Sequence, residues 1–261
     1  MFSRLGRSFR GATSSSPTKP KDPFSPPPRS APSSPTQRGD RFFEDEKSEA
    51  VLIFDWDDTL CPTWWINRIM EPSLQRVEKD HFSKELQSLA KAVESLLRAA
   101  RETAHVDIVT LGNRNWFDKS AQYLPGLEIK ELFKELDITV YFAEVSLSCT
   151  EADRCVAAKR VVMGECLMKR FGAGKRWHAI SIGDKDTERD ALKACCHEYR
   201  RRLKRQPLCK TVMLPEEPML DVLVSNLEHL RQQCGRMVAL GQDFDWTVSD
   251  IVPAQPTTLR R

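Results

Sequence analysis

The stretch "VLIFDWDDTLCPTWW" (51–65) places four apolar residues directly before Asp55, Asp57 and Asp58. Carboxylates held this close repel one another and raise each other's pKa unless a cation or a reaction makes use of them. Three such residues after one apolar run therefore point to chemistry.

They need a scaffold. From Val51 onward short apolar runs alternate with longer amphipathic stretches, the pattern of an α/β fold in which helices cover a parallel sheet. Candidate strands are "VLIF" (51–54), "HVDIVT" (105–110), "DITVYF" (137–142), "HAISI" (178–182) and "KTVML" (210–214). That predicts a sheet of about five mainly parallel strands with flanking helices. Leu86, Leu89, Val93, Leu96 and Ala100 share one helical face, as do Leu220, Leu223, Val224, Leu227 and Leu230, and both faces should cover the sheet. Ligands of open parallel sheets sit beyond the carboxyl ends of the strands. Asp55 ends the first strand, Thr110 the second and Gly183-Asp184 the fourth, so residues far apart in sequence converge on one crevice. A second "DFDW" at 243–246 echoes "FDWD" at 54–57 but lacks a preceding apolar run, and is read as coincidence within a C-terminal tail, 241–261.

"FDWDDTL" resembles motif I of the haloacid dehalogenase-like hydrolase superfamily, a D-x-D-x-T loop after an apolar strand. A Thr ending the next strand, a lysine on a later helix and "SIGDKDTERDA" (181–191) extend the resemblance over roughly residues 50–215. It implies a Rossmann-like doubly wound sheet and magnesium-dependent phosphate transfer through an aspartyl phosphate. Asp55 is then the nucleophile, which divides hydrolysis into two easier steps. Asp57 protonates the leaving oxygen and later deprotonates the attacking water. Mg2+, a hard cation, is held by the Asp55 carboxylate, the Asp57 backbone carbonyl and Asp184. The second acid of motif IV falls at Glu188, four residues on, as a ligand acting directly or through water. Thr59 braces the loop, and Thr110 donates to a phosphoryl oxygen beside the backbone N–H groups of Leu111 and Gly112.

The lysine implied by the resemblance is to be chosen among Lys159, Lys169 and Lys175. On a helix over roughly 152–171, Lys159 lies along the face of Val156, Met163, Cys166 and Leu167, and so interrupts an apolar stripe. An inward lysine needs an anionic partner, which singles out Lys159. Asp190 fits a helix start, where acids suit the dipole.

About 50 residues separate Thr59 from Thr110 and about 48 separate Thr110 from Lys159, and both intervals must also supply sheet-covering helix. Little remains for a cap domain. A capless member of the superfamily has an open site, suited to a phosphoprotein or other large substrate, or one closed by an oligomeric partner. The function read from the sequence is a magnesium-dependent phosphatase acting on a phosphomonoester, either a small molecule or a phosphoprotein. Two other readings keep the same fold: a catalytically silent binding or regulatory module, and a phosphotransferase. Trp64 and Trp65 are candidates for a wall of the cleft, and Asn113, Arg114 and Asn115 for substrate contacts.

The 261 residues carry 40 Lys+Arg against 37 Asp+Glu, a net charge of +3, so no global field argues for nucleic acid or a membrane surface. Arg200, Arg201, Arg202, Lys204 and Arg205 read as a solvated helix end. No apolar run approaches the roughly 18 residues a bilayer span requires. Eight cysteines without C-x-x-C or zinc-type spacing read as reduced thiols and favour an intracellular, cytoplasmic setting. Residues 1–48, rich in Ser, Pro and Arg, read as a disordered arm preceding a domain over 49–240. The first 21 residues are basic and free of acid, which also fits an organelle transit peptide.

Overall fold

The computed structural model describes residues 49–70, 82–145, 151–172, 177–203 and 207–252. The expected arm, Lys175, Lys204, Arg205 and Cys149 lie outside the described residues.

Six strands form one open sheet: β1 (Glu49–Phe54), β2 (His105–Thr110), β3 (Thr139–Phe142), β4 (Trp177–Gly183), β5 (Leu208–Met213) and β6 (Phe244–Thr247). Every neighbouring pair is parallel, in the order β3-β2-β1-β4-β5-β6. The helices are α1 (Thr63–Trp65), α2 (Ser83–Thr103), α3 (Arg114–Ser120), α4 (Ile129–Glu135), α5 (Glu151–Phe171), α6 (Asp186–Leu203), α7 (Leu220–Ala239) and α8 (Val248–Ile251). This is a doubly wound α/β fold.

Alternation along β1 explains the two layers. Leu52 and Phe54 point into one apolar cluster, with α2, α3, α4 and α7; Val51 and Ile53 point into the other, with α5 and α6. The predicted face of α2, from Leu86 to Ala100, is buried, and α2 packs on the equally apolar face of α7. Val224 lies at the edge of that face and is half-buried.

The sequence reading is corrected at its C-terminal end. Residues 244–247 form β6, which pairs with β5 from Lys210↔Phe244 to Met213↔Thr247, so the sheet runs past the expected boundary at 240. An edge strand buries one side only, so it needs alternation rather than a continuous apolar run. Phe244 and Trp246 supply it, stacked 4.1 Å apart, while Asp245 and Thr247 face out. Among the described residues, no helix is long and apolar enough to cross a membrane.

Strand order reverses between β1 and β4, which leaves a crevice beyond their carboxyl ends. Phe54 pairs with Ile182, and the next amide, Asp55 N–H, donates to Ile182 O at 2.9 Å. Asp55 and Asp184 are thereby brought to the same edge of the crevice.

Candidate active site

The loop after β1 is pinned by its own backbone and by one indole. Leu60 and Cys61 N–H both donate to Trp56 O, at 3.0 and 2.9 Å, and Asp58 N–H donates to Cys61 O at 2.7 Å. Asp58 turns the chain at φ +55°, a left-handed conformation that Asp tolerates better than most residues. Trp56 is fully enclosed against Phe117, and its Nε1 donates to Ser120 Oγ at 2.8 Å. Continuing the period-two alternation of β1, Trp56 lies with the Phe54 layer and Asp55 with the α5 layer.

There Asp55 meets Lys159. Lys159 is 1 % exposed, and its Nζ donates to Asp55 Oδ1 at 2.8 Å and to Glu188 Oε1. Burial works against the ammonium charge, but Asp55 and Glu188 together hold its pKa above the ordinary lysine value. Burial pushes the Asp55 carboxyl above its usual range; Lys159 pulls it back, while Glu188 and Asp57 add to the rise.

Glu188 sits in the first turn of α6 and folds back over the turn that precedes it. Its Oε2 accepts Lys185 N–H at 2.9 Å, and its Oε1 accepts Thr187 Oγ1 at 2.7 Å besides Lys159. Gly183 makes room for this: a Cβ there would lie 2.4 Å from Glu188 Cγ. Asp184 is buried, and its carboxyl is pushed up to about 7 by burial and by Glu188's charge, with Lys185 opposing.

One oxygen from each of Asp55, Asp184 and Glu188 lies within 4.8 Å of the others. Three buried carboxylates facing one buried lysine leave negative charge that a divalent cation would balance, and an all-oxygen donor set suits Mg2+. Asp55 and Asp184 are the freer ligands, because both Glu188 oxygens already accept protein donors.

Asp57 is held separately. Its Oδ1 accepts Thr63 Oγ1 and Trp116 Nε1, both at 2.7 Å, and its Oδ2 accepts Thr110 Oγ1 at 3.1 Å. Thr110 Oγ1 in turn accepts Gly112 N–H at 2.9 Å. Two groups expected to face a ligand, Thr110 and Gly112, thus hold each other and Asp57. Sequence reasoning missed Trp116 and Thr63. The signal for Trp116 was an indole in the first turn of the helix that follows Thr110; Thr63 offered none beyond its nearness to the loop.

Other expected residues are placed differently. Asn113 caps α3, its side chain accepting Trp116 N–H at 2.9 Å. Arg114 lies over the Phe142 ring at 4.8 Å, and Asn115 is exposed. Leu111 is half-buried, as is Trp64, which packs on the core while its N–H donates to Asp58 Oδ1 at 2.7 Å; Trp65 is buried. The Thr59 hydroxyl is fully buried and has no partner among the described residues, so bracing of the loop falls to Thr63 and Trp56. Asp186 and Asp190 both pair with Arg189, at 2.8 and 2.9 Å. At the basic end of α6, Arg200 pairs with Asp243, while Arg201 and Arg202 pair with Glu198.

No model of a known protein family matches the chain, and no curated protein sequence matches it. One solved structure with some likeness is described as a "Putative oxidoreductase from Escherichia coli str. K-12", 12% identical, covering 77% of this chain and 97% of that one at a TM-score of 0.30. A likeness that faint carries no argument about activity. The geometry must carry it.

Proposed function

We propose that the chain is a magnesium-dependent phosphatase of the haloacid dehalogenase-like type, hydrolysing a phosphomonoester through an aspartyl phosphate on Asp55. The observation that supports this best is the Lys159–Asp55–Glu188 cluster beside Asp184 at the reversal of strand order. A nucleophilic carboxylate, a buried cation and two further acids from a different strand end meet in one crevice.

Asp55 attacks phosphorus, and the bond to the leaving oxygen breaks as that oxygen takes a proton from Asp57. Before donating, Asp57 takes up a proton, and Thr110 turns its hydroxyl from Asp57 Oδ2 toward the phosphoryl oxygen. That turn also releases Gly112 N–H to face the same oxygen. Water then attacks the acyl phosphate, giving its proton to Asp57 and restoring Asp55. Lys159 keeps Asp55 oriented and offsets charge on the phosphoryl group. Bound Mg2+, held by Asp55 and Asp184 with Glu188 beside them, would supply Lewis-acid polarisation of the phosphoryl oxygens. The intervals that would have to hold a cap domain contribute, in their described residues, α1 to α4 and strands β2 and β3, all part of the sheet and its cover. An open crevice of this kind suits a large phosphorylated substrate.

The test is phosphate release from an aryl phosphate with Mg2+ and with chelator, by the wild-type chain and by Asp55→Asn. Release that needs both Mg2+ and Asp55 is the expected result. Absence of turnover on that probe and on a panel of phosphoproteins and phosphorylated metabolites would replace the proposal with a silent binding module, a reading favoured by the mutual satisfaction of Thr110, Gly112 and Asp57.

A further inference from the structure

The inward face of α5 carries a second cation. Lys159, Met163, Cys166 and Arg170 recur at helical spacing, and the eleven residues from Lys159 to Arg170 make about three turns, so the two point the same way. Lys159, Met163 and Cys166 are buried, and the Arg170 side chain is 9 % exposed.

Arg170 meets Asp107, a fully enclosed carboxylate of β2. Its guanidinium grips both oxygens: Nε donates to Asp107 Oδ2 at 2.9 Å and Nη2 to Oδ1 at 2.8 Å. Oδ1 also accepts Thr139 N–H at 3.1 Å, and Oδ2 the Cys166 thiol at 3.2 Å. The other donors of Arg170 hold the turn that enters β3. Nη1 reaches Asp137 Oδ2 at 2.7 Å and Nη2 reaches Asp137 O at 2.8 Å, where Asp137 stands at φ +51°. One side chain thus ties the last turn of α5 to β2 and to the edge of the sheet.

Stability alone does not account for a pair set this deep. Removing both charges from water costs about as much as their attraction restores, and apolar residues of similar volume often serve as well. The fork supplies direction instead, because two parallel bonds fix distance and angle together. Burial of Met163 and Leu167 is non-directional and does not set where along the sheet the helix stops. Three turns away, Lys159 must keep Nζ at 2.8 Å from Asp55 Oδ1. A displacement of about 1 Å at reacting groups can cost about a hundredfold in rate, even when its cause is remote.

We propose that Arg170 is a positioning residue: its fork on Asp107 sets the register of α5 on the sheet and so holds Lys159 against Asp55. The consequence for turnover rests on the reading of Asp55 as nucleophile. The placement of Lys159 does not.

The experiment labels the full chain with an amine-acylating reagent and follows each lysine by peptide mass spectrometry, in the wild type, in Arg170→Lys and in Asp107→Asn combined with Arg170→Met. Arg170→Lys keeps the charge and gives up the fork; the double change removes both charges, so neither is left buried alone. Lys210, fully buried on β5 with Nζ donating to Met237 O at 2.7 Å, reports general opening of the fold. In both variants Lys159 should be labelled at least about tenfold faster than in the wild type, while Lys210 keeps its wild-type rate. With Mg2+ and an aryl phosphate, kcat should fall about 10–100-fold in the same variants. Lys159 labelled at its wild-type rate would overturn the proposal. So would Lys159 and Lys210 rising together, which would make Arg170 a residue of general stability. Labelling needs no turnover, so a chain without phosphatase activity still decides the role of Arg170.

Discussion

Lys159 Nζ stands 2.8 Å from Asp55 Oδ1, with both side chains nearly closed to solvent. Removing the lysine leaves Asp55 and Glu188 facing each other without a cation, and breaking a buried pair from one side typically costs about 3–5 kcal/mol. Lys159→Met should lower unfolding stability by that order in urea titration of the metal-free chain, and Mg2+ should return part of it. On the proposed reaction, turnover should fall at least about a hundredfold, the scale on which charge-stabilising groups act. Stability unchanged in chelator would mean that the two acids relax apart without Lys159.

The raised Asp184 carboxyl gives a pH signature. Its pKa is about 7 in the folded chain against 3.8 ordinarily, so the folded form holds the proton more tightly than the unfolded one. The stability this lends is full below about pH 4 and is lost as pH rises through about 7. A cation at Asp184 must displace the proton. Asp55, raised in the same way, adds to this, so magnesium affinity should fall at least about tenfold per pH unit below pH 7, with proton release in calorimetry across buffers of different ionisation heat. Asp184→Asn should flatten that dependence to the part that comes from Asp55, whose carboxyl burial also raises, and should remove most of the affinity. Affinity flat from pH 5 to 8 would remove Asp184 from the metal site.

The four inner strands were legible in the sequence because both of their faces are buried, while the edge strand β3 and the one-sided faces of α2 and α7 were legible from an apolar run and from helical spacing. β1, β2, β4 and β5 are apolar runs, and α5 revealed Lys159 because a charge in an apolar stripe is conspicuous. β6 escaped because an edge strand of four residues carries only Phe244 and Trp246 as signal. The hold on Asp57 escaped for another reason. Trp116 and Thr63 act through single polar atoms whose direction depends on how α3 and α1 are set, and residue type does not encode that. Asn113, read as a ligand contact, is a helix cap, a role Asn fills commonly.

Gly183 tests whether the Glu188 fold-back matters. A methyl group there would lie 2.4 Å from Glu188 Cγ and 2.8 Å from Glu188 Oε2, so the side chain must leave its bonds to Lys159 and Lys185 N–H. Gly183→Ala should cost about 1–3 kcal/mol, as overpacking does. Combined with Glu188→Ala, which removes Cγ and Oε2 and leaves only the Cβ of residue 188, 2.9 Å from the added methyl, the two changes should cost less than their sum in a double-mutant cycle of thermal or urea unfolding. Strict additivity would show that Gly183 acts through the backbone and not through Glu188.

Trp116 provides the sharpest separation of positioning from packing. Its Nε1 donates to Asp57 Oδ1 at 2.7 Å, and its ring lies so close over Gly112 that a Cβ there would come within 2.8 Å of Cδ1. Trp116→Phe keeps an aromatic ring over Gly112 and deletes the donor. A hydrogen bond to a charged acceptor is worth about 1.5–3 kcal/mol, which corresponds to a loss of about 10–100-fold in turnover if Asp57 moves protons in the rate-limiting step. Substrate binding does not call on Asp57 in the proposed scheme, so KM should stay near the wild-type value while kcat falls. The 15N-resolved indole signal of Trp116 should shift when Asp57 is changed to Asn, reporting the contact independently of activity. A variant that loses thermal stability and KM in proportion, with kcat retained, would reduce Trp116 to a packing residue and leave Thr63 and Thr110 to hold Asp57.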